Sequence, residues 1–247
     1  GLVDRALPLL ERSLQLREAH HGAEAPATAI GMRSLAEALL EKGDMVAAES
    51  LLRDALRIQS GAGEADDKEV AASTRSLARA LLKRGQLDQA AQMYRRSIDS
   101  LVKLHGGEEH EQVTSAVNEL AAVLLIRGDH AEAARLYSAA LASDRARLGN
   151  DHPQVMHQVS GLALALQAAG KPAEAAPLFR ESIQLADKVL GALHPETIRA
   201  RSNYGYFLQE TGDLAAAETM AREVLALERQ VRGPDHYAVG YDMVDLA

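Results

Sequence analysis

The chain has 247 residues, 47% hydrophobic but only 3% aromatic, with 46 alanines, no Trp and no Cys. Alanine is the best helix former and lets backbones pack closely, whereas a sandwich or barrel of this size would draw on Val, Ile, Thr and rings, so the composition points to an all-α fold. A net charge of −8 argues against phosphate-backbone binding, and the absence of Cys excludes disulfides, thiolate metal sites and cysteine nucleophiles.

No run approaches the ~18 apolar residues that span a bilayer, and GLVDRALPLLERSLQLR lacks the unbroken apolar stretch of a signal peptide. The expectation is a cytoplasmic protein whose partners are neither nucleic acid nor membrane.

Along the chain the organising feature is a repeat. Gly43, Gly85, Gly128, Gly170 and Gly212 recur every 42 or 43 residues. A second series, Gly107, Gly149, Gly191 and Gly233, precedes His110, His152, His194 and His236 by three residues each. Residues 2–20 read as a second helix lacking its first. Five complete units follow at 26–62, 67–106, 110–148, 152–190 and 194–232, and 236–247 reads as a first helix lacking its second. All belong to one array over residues 1–247, and the uncapped ends predict a fragment of a longer protein.

Within each unit the same elements are expected in order. A first helix such as SLAEALLEKG carries apolar residues at helical spacing. The following glycine accepts the left-handed conformation beyond the helix end. Asp44, Asp129 and Asp213 then serve as N-caps, Asp129 with Glu132 at the spacing of a capping box. The second helix places Leu52 and Leu56 against Leu35, Leu39 and Leu40. Pro153, Pro172 and Pro195 suit first helical turns, where the missing N–H costs nothing.

The small residue of Leu35-Ala36, Leu77-Ala78, Leu120-Ala121 and Leu162-Ala163 marks where paired helices cross, and Tyr204-Gly205 matches it. Thirteen residues after each leading position stands Ala48, Ala90, Ala133, Ala175 or Ala217. Four further on, in four of the five units, comes Leu52, Tyr94, Tyr137 or Phe179, with Ala221 the exception. This resembles the tetratricopeptide signature, and the loop phrase LG-x-x-HP resembles its 42-residue subclass, found in kinesin light chains and bacterial multidomain proteins. The fold the resemblance implies is a right-handed α-solenoid of antiparallel helix pairs.

Candidates for chemistry are few. Four of the histidines share one loop position, which predicts a repeated loop-locking hydrogen bond rather than catalysis. His20-His21 and His152 with His157 lack a supporting metal-ligand pattern. No phosphate-binding glycine loop or nucleophile elbow is present. The expectation is therefore a non-enzyme with no cofactor and no metal.

The resemblance also implies a concave face built from first helices, with ligand-facing positions that carry over one by one. They are Ile30, Arg33, Ser34 and Glu37 in the first unit, and Ala72, Arg75, Ser76 and Arg79 in the second. The third contributes Ser115, Asn118, Glu119 and Ala122. The fourth contributes His157, Ser160, Gly161 and Leu164, and the fifth Arg199, Ser202, Asn203 and Tyr206.

Four arginines against two glutamates predict a groove more basic than the rest of the chain and a partner peptide of acidic character. Asn118 and Asn203 are suited to hold its backbone. If these arginines are exposed, reversing their charge should leave the fold's melting unchanged. The partner sites expected on the concave face are thus Arg33, Glu37, Arg75, Arg79, Asn118, Glu119, His157, Arg199, Asn203 and Tyr206. The function expected is a protein-interaction scaffold. The alternatives are a regulatory region of a larger signalling enzyme such as a Ser/Thr kinase, and end-to-end self-association through open repeat ends.

Overall fold

A computed structural model describes residues 2–61 and 67–233. The helix expected at 236–247, with His236, lies outside the described residues. The described residues form eleven helices and no strand. The chain divides into two compact units, Gly1–Gly128 and Asp129–Ala247.

The first unit holds α1 (Leu2–His21), the pair α2 (Pro26–Lys42) and α3 (Met45–Gly61), the pair α4 (Asp67–Lys83) and α5 (Leu87–His105), and α6 (Glu111–Arg127). The second holds α7 (His130–Leu148), the pair α8 (Pro153–Ala168) and α9 (Pro172–Leu190), and the pair α10 (Pro195–Glu210) and α11 (Leu214–Arg232). Even-numbered helices from α2 onward are the first helices of their repeats.

The turn inside each pair follows from its glycine. At Gly43 the backbone has φ 95° and ψ 9°, its N–H donates to Leu40, and the N–H of Asp44 donates to Leu39 at 2.9 Å. Only glycine enters this region without a Cβ penalty. Asp44 Oδ1 then accepts from the Ala47 N–H at 3.1 Å, and Asp213 Oδ1 from Ala216 at 3.2 Å. Asp129 holds the equivalent N-cap position, but its side chain makes no capping bond there, so the expected capping box does not form. Between repeats 2 and 3 the positive φ falls on Gly106, not on Gly107 of the second glycine series.

Small residues let the helices close on one another. Ala36, Ala78, Ala121 and Ala163 on the first helices, and Ala48, Ala90, Ala133 and Ala175 on the second, are wholly buried. Larger side chains fill the space that remains. Tyr94 and Phe179 are buried, and Phe179 meets Phe207 with ring centres 4.9 Å apart. Removing each such side chain from water contributes about 1.5–3 kcal/mol. This packing leaves one stripe of α2, α4, α8 and α10 turned away from the second helix that follows each.

Candidate functional site

That stripe in the first unit is tied together by charge. Arg33 on α2 donates to Glu37 on its own helix at 3.1 Å and to Glu69 on α4 at 3.0 Å. Ser76 on α4 returns a bond to Glu37 at 2.8 Å. Arg75 grips Glu119 on α6 through Nε and Nη2, at 2.8 and 2.6 Å, and also donates to Ser115 at 2.7 Å. Arg79 makes a single 3.3 Å bond back to Glu41. Three successive first helices are therefore cross-linked through guanidinium and carboxylate groups.

The electrostatics follow from this pairing. Burial works against the Arg33 charge, but the bonds to Glu69 and Glu37 outweigh it and push its pKa up. The bond to Glu119 raises that of Arg75. Burial raises the Tyr94 pKa far above the ordinary phenol value, and the nearby Glu119 carboxylate adds to the rise.

Among α2, α4, α5 and α6 lies a cavity of about 280 Å³. Glu37, Arg75, Arg79 and Glu119 line it, joined by Lys68, Ala72, Ser76 and Gln112 over a floor of Ala71 and Leu101. Four of the ten candidate residues thus converge on one space. Asn118 is not among the lining residues; its Oδ1 is buried with no hydrogen-bond partner.

The basic groove expected from sequence is not what forms. Arg33, Arg75 and Arg79 each face a glutamate, and Arg199 pairs with Glu196 on its own helix. Glu37 and Glu119 stand among the carried-over positions, but Glu41, Glu69 and Glu196 do not, so a count of those positions misses three of the balancing carboxylates. Nor are all four arginines exposed. The Arg33 and Arg75 side chains retain 18% and 30% of their exposure, against 41% and 61% for Arg79 and Arg199.

In the second unit the first-helix stripe carries other groups. His157 is exposed, Asn203 is half-buried, and Tyr206 keeps 55% of its surface. Gly161, expected to face a ligand, is buried: a Cβ there would lie 2.5 Å from Cε1 and Cζ of the Tyr137 ring.

The recurring histidines cap helices. His110, His152 and His194 each hold an N-cap position and accept, through Nδ1, the N–H two residues on, at 3.3, 3.2 and 3.2 Å. The repeated loop position therefore supplies one acceptor to each of α6, α8 and α10.

Sequence reasoning missed the polar ties between neighbouring repeats. Arg53 reaches Gln89, Arg96 reaches Ser60 and Arg145 reaches Glu181, each across 36 positions. Arg84 and Arg127, each just before a turn glycine, reach back to Glu49 and Asp88 near the start of the preceding second helix. A recurrent separation of 36 between polar residues, with Arg33 and Glu69 as another instance, is the signal that marks the first three of them.

Successive helix pairs with left-handed glycine turns, a histidine cap on α6, α8 and α10, and polar ties reaching about one repeat along the chain mark a helical repeat protein of the α-solenoid class. The tetratricopeptide repeat family model matches residues 1–60, 35–101, 111–188 and 155–227, and the chain belongs to that family. Tetratricopeptide proteins generally act as protein-interaction scaffolds.

Solved structures agree on the fold. A putative kinesin light chain of Podosopora anserina with nearly identical repeats is 24% identical, with a TM-score of 0.72 over 84% of this chain and 98% of that one. BtubC from P. vanneervenii is 20% identical, with a TM-score of 0.75 over 96% of this chain and 94% of that one. YrrB, a tetratricopeptide protein with an unusual peptide-binding site, is 16% identical, with a TM-score of 0.57 over 93% and 96%. No curated protein matches the chain. No helix of the described residues is long and apolar enough to cross a membrane.

Proposed function

We propose that the chain is a non-catalytic interaction module that binds a segment of a partner protein on its first-helix face. The observation that carries this reading is the cavity of the first unit, where side chains from α2, α4 and α6 meet over a floor of alanine and leucine. Its size suits one or two partner side chains. The ion pairs around it hold the lining in place before binding, so little ordering cost falls on the receptor. The lining sets Lys68, Arg75 and Arg79 against Glu37 and Glu119, close to balance, which favours a polar segment over a strongly acidic one. The peptide-binding description of the structural neighbour YrrB is in keeping with this use of the fold.

The test is a phage-displayed library of random linear peptides selected on the wild-type chain, then measured against Ala72→Trp. Ala72 lines the cavity and is half-buried, so the indole fills the space without breaking an ion pair. Peptides that bind the wild type and not the variant support the proposal. Peptides that bind both equally, with the variant folded, place the site elsewhere.

A further inference from the structure

Of the histidines that cap first helices among the described residues, His110 is the one joined by a second imidazole. Its ring stacks on that of His105, in the last turn of α5, with centres 3.4 Å apart and planes 6° from parallel. Five residues before the other capping histidines, His152 and His194, stand Arg147 and Val189.

Both rings bear on Gln112 in the first turn of α6. His110 Nδ1 accepts the Gln112 N–H at 3.3 Å, and His105 Nε2 meets Gln112 Oε1 at 3.0 Å. An accepting Nδ1 places the proton of neutral His110 on Nε2, and His105 Nε2 is the donor to the Gln112 oxygen. Gln112 in turn lines the cavity of about 280 Å³ with Arg75 and Glu119.

A proton on His110 Nδ1 undoes this arrangement. The nitrogen becomes a donor facing another donor, so the cap bond is lost. A positive ring then sits at the positive end of the α6 dipole. A second proton, on His105, sets two like charges a single ring-stack apart. Each step turns the His110 ring away from α6, frays its first turn and loosens the hold on Gln112 at the cavity wall.

Other charged groups surround the pair. Lys103 on α5 is held by Asp67 of α4 at 2.8 Å, and Lys68 of α4 lines the cavity with Gln112. Glu108 and Glu109 lie in the connecting segment, and Glu111 opens α6. Carboxylate and ammonium groups ordinarily keep their charge between about pH 5 and 8, the interval in which imidazole changes its own. The two imidazoles are thus the groups at this wall that answer to pH in that interval.

We propose that His105 and His110 form a pH-sensitive latch on the cavity of the first unit. Neutral, they hold Gln112 and the start of α6 in the binding arrangement; protonated, they release both. The latch rests on the reading that the cavity takes a partner segment, and it adds that binding weakens below neutral pH. His110 acts through Gln112 and α6 and is a positioning residue, not a contact for the partner.

The experiment compares wild type with His110→Asn, which keeps an acceptor at the cap but gains no proton, at about pH 7.5 and about pH 5.5. Hydrogen exchange of residues 111–116, corrected for the intrinsic effect of pH, reads the start of α6 without any ligand. Affinity is read with a histidine-free peptide selected from the random linear library. The latch predicts faster exchange and weaker binding at the lower pH, each by roughly two- to tenfold, the size of one lost cap. Both stay level in His110→Asn. His105→Gln, which keeps the cap and a donor for Gln112 but removes the second charge, should show a smaller shift than wild type; an equal shift would overturn the role of the stacked pair.

Level exchange in the wild type overturns the latch, whatever binds. Exchange that rises while affinity holds overturns it as well, because the cap would then titrate without governing the cavity. A pH response retained by His110→Asn assigns the effect to another group and rejects the latch. A library that yields no binder removes the cavity reading and the latch with it, whereas level exchange removes the latch alone.

Discussion

Arg75 on α4 holds Glu119 on α6 by two parallel N–H···O bonds of 2.6 and 2.8 Å, across 44 positions of sequence. Such a fork-on-fork pair is directional and stronger than a single contact. Arg75→Met is expected to lower stability by about 1–2 kcal/mol, since the pair is only partly shielded from water. Arg79→Met, which loses one 3.3 Å bond at an exposed site, should cost no more than about 1 kcal/mol. Urea midpoints of the two variants beside wild type decide this; equal midpoints would make the Arg75 pair incidental.

Glu49 supplies an acid-sensitive joint. Burial alone would raise its pKa, but bonds from Arg53 and Arg84 outweigh burial and hold it below the ordinary 4.5. A carboxylate depressed in the folded state adds stability that is full above the unfolded value. That stability fades as pH falls through the lower folded value. Melting temperature should therefore drop on acidification below about pH 4.5, and the drop should be shallower for Glu49→Gln. Parallel curves for the two proteins would refute it.

Gly161→Ala is expected to destabilise by about 1–3 kcal/mol, because the new methyl meets the rigid Tyr137 ring. Combining it with Tyr137→Leu should recover much of the loss. Crystallography or melting of the single and double variants checks the coupling, and additive losses would break the link between the two residues.

The histidine caps make a chemical prediction. His152→Ala should cost about 1 kcal/mol, whereas His152→Asn, which keeps an acceptor at the N-cap, should cost less. Circular-dichroism melts separate the two; equal losses would mean that the ring matters for packing and not for its Nδ1 bond.

The repeat was legible because its punctuation depends on backbone geometry alone. Gly43 must reach a positive φ, Pro153 must open a helix and His152 must cap one, so each need recurs wherever the unit recurs. The face is harder to read because its positions are held in place by residues a repeat away. Arg33 has Glu37 one turn on in its own helix, yet its second partner, Glu69, stands on α4, and nothing within α2 announces it. Ser76 and Gly161 illustrate the same limit. One is buried while donating to Glu37, and the other is filled by a ring from the preceding repeat.

The ties that join successive repeats differ at every junction described: Arg33 with Glu69, Arg75 with Glu119, Arg145 with Glu181. Caps and turns would let any unit stand in for any other, as in an array of interchangeable bricks. The junctions forbid it. A permuted chain that set the fourth unit after the second would bring Arg75 opposite Gly161 instead of Glu119. The guanidinium would lose its carboxylate although every unit remained intact. Order along this chain is thus written into its seams, and duplication or deletion of a unit would be felt first at the joint it disturbs.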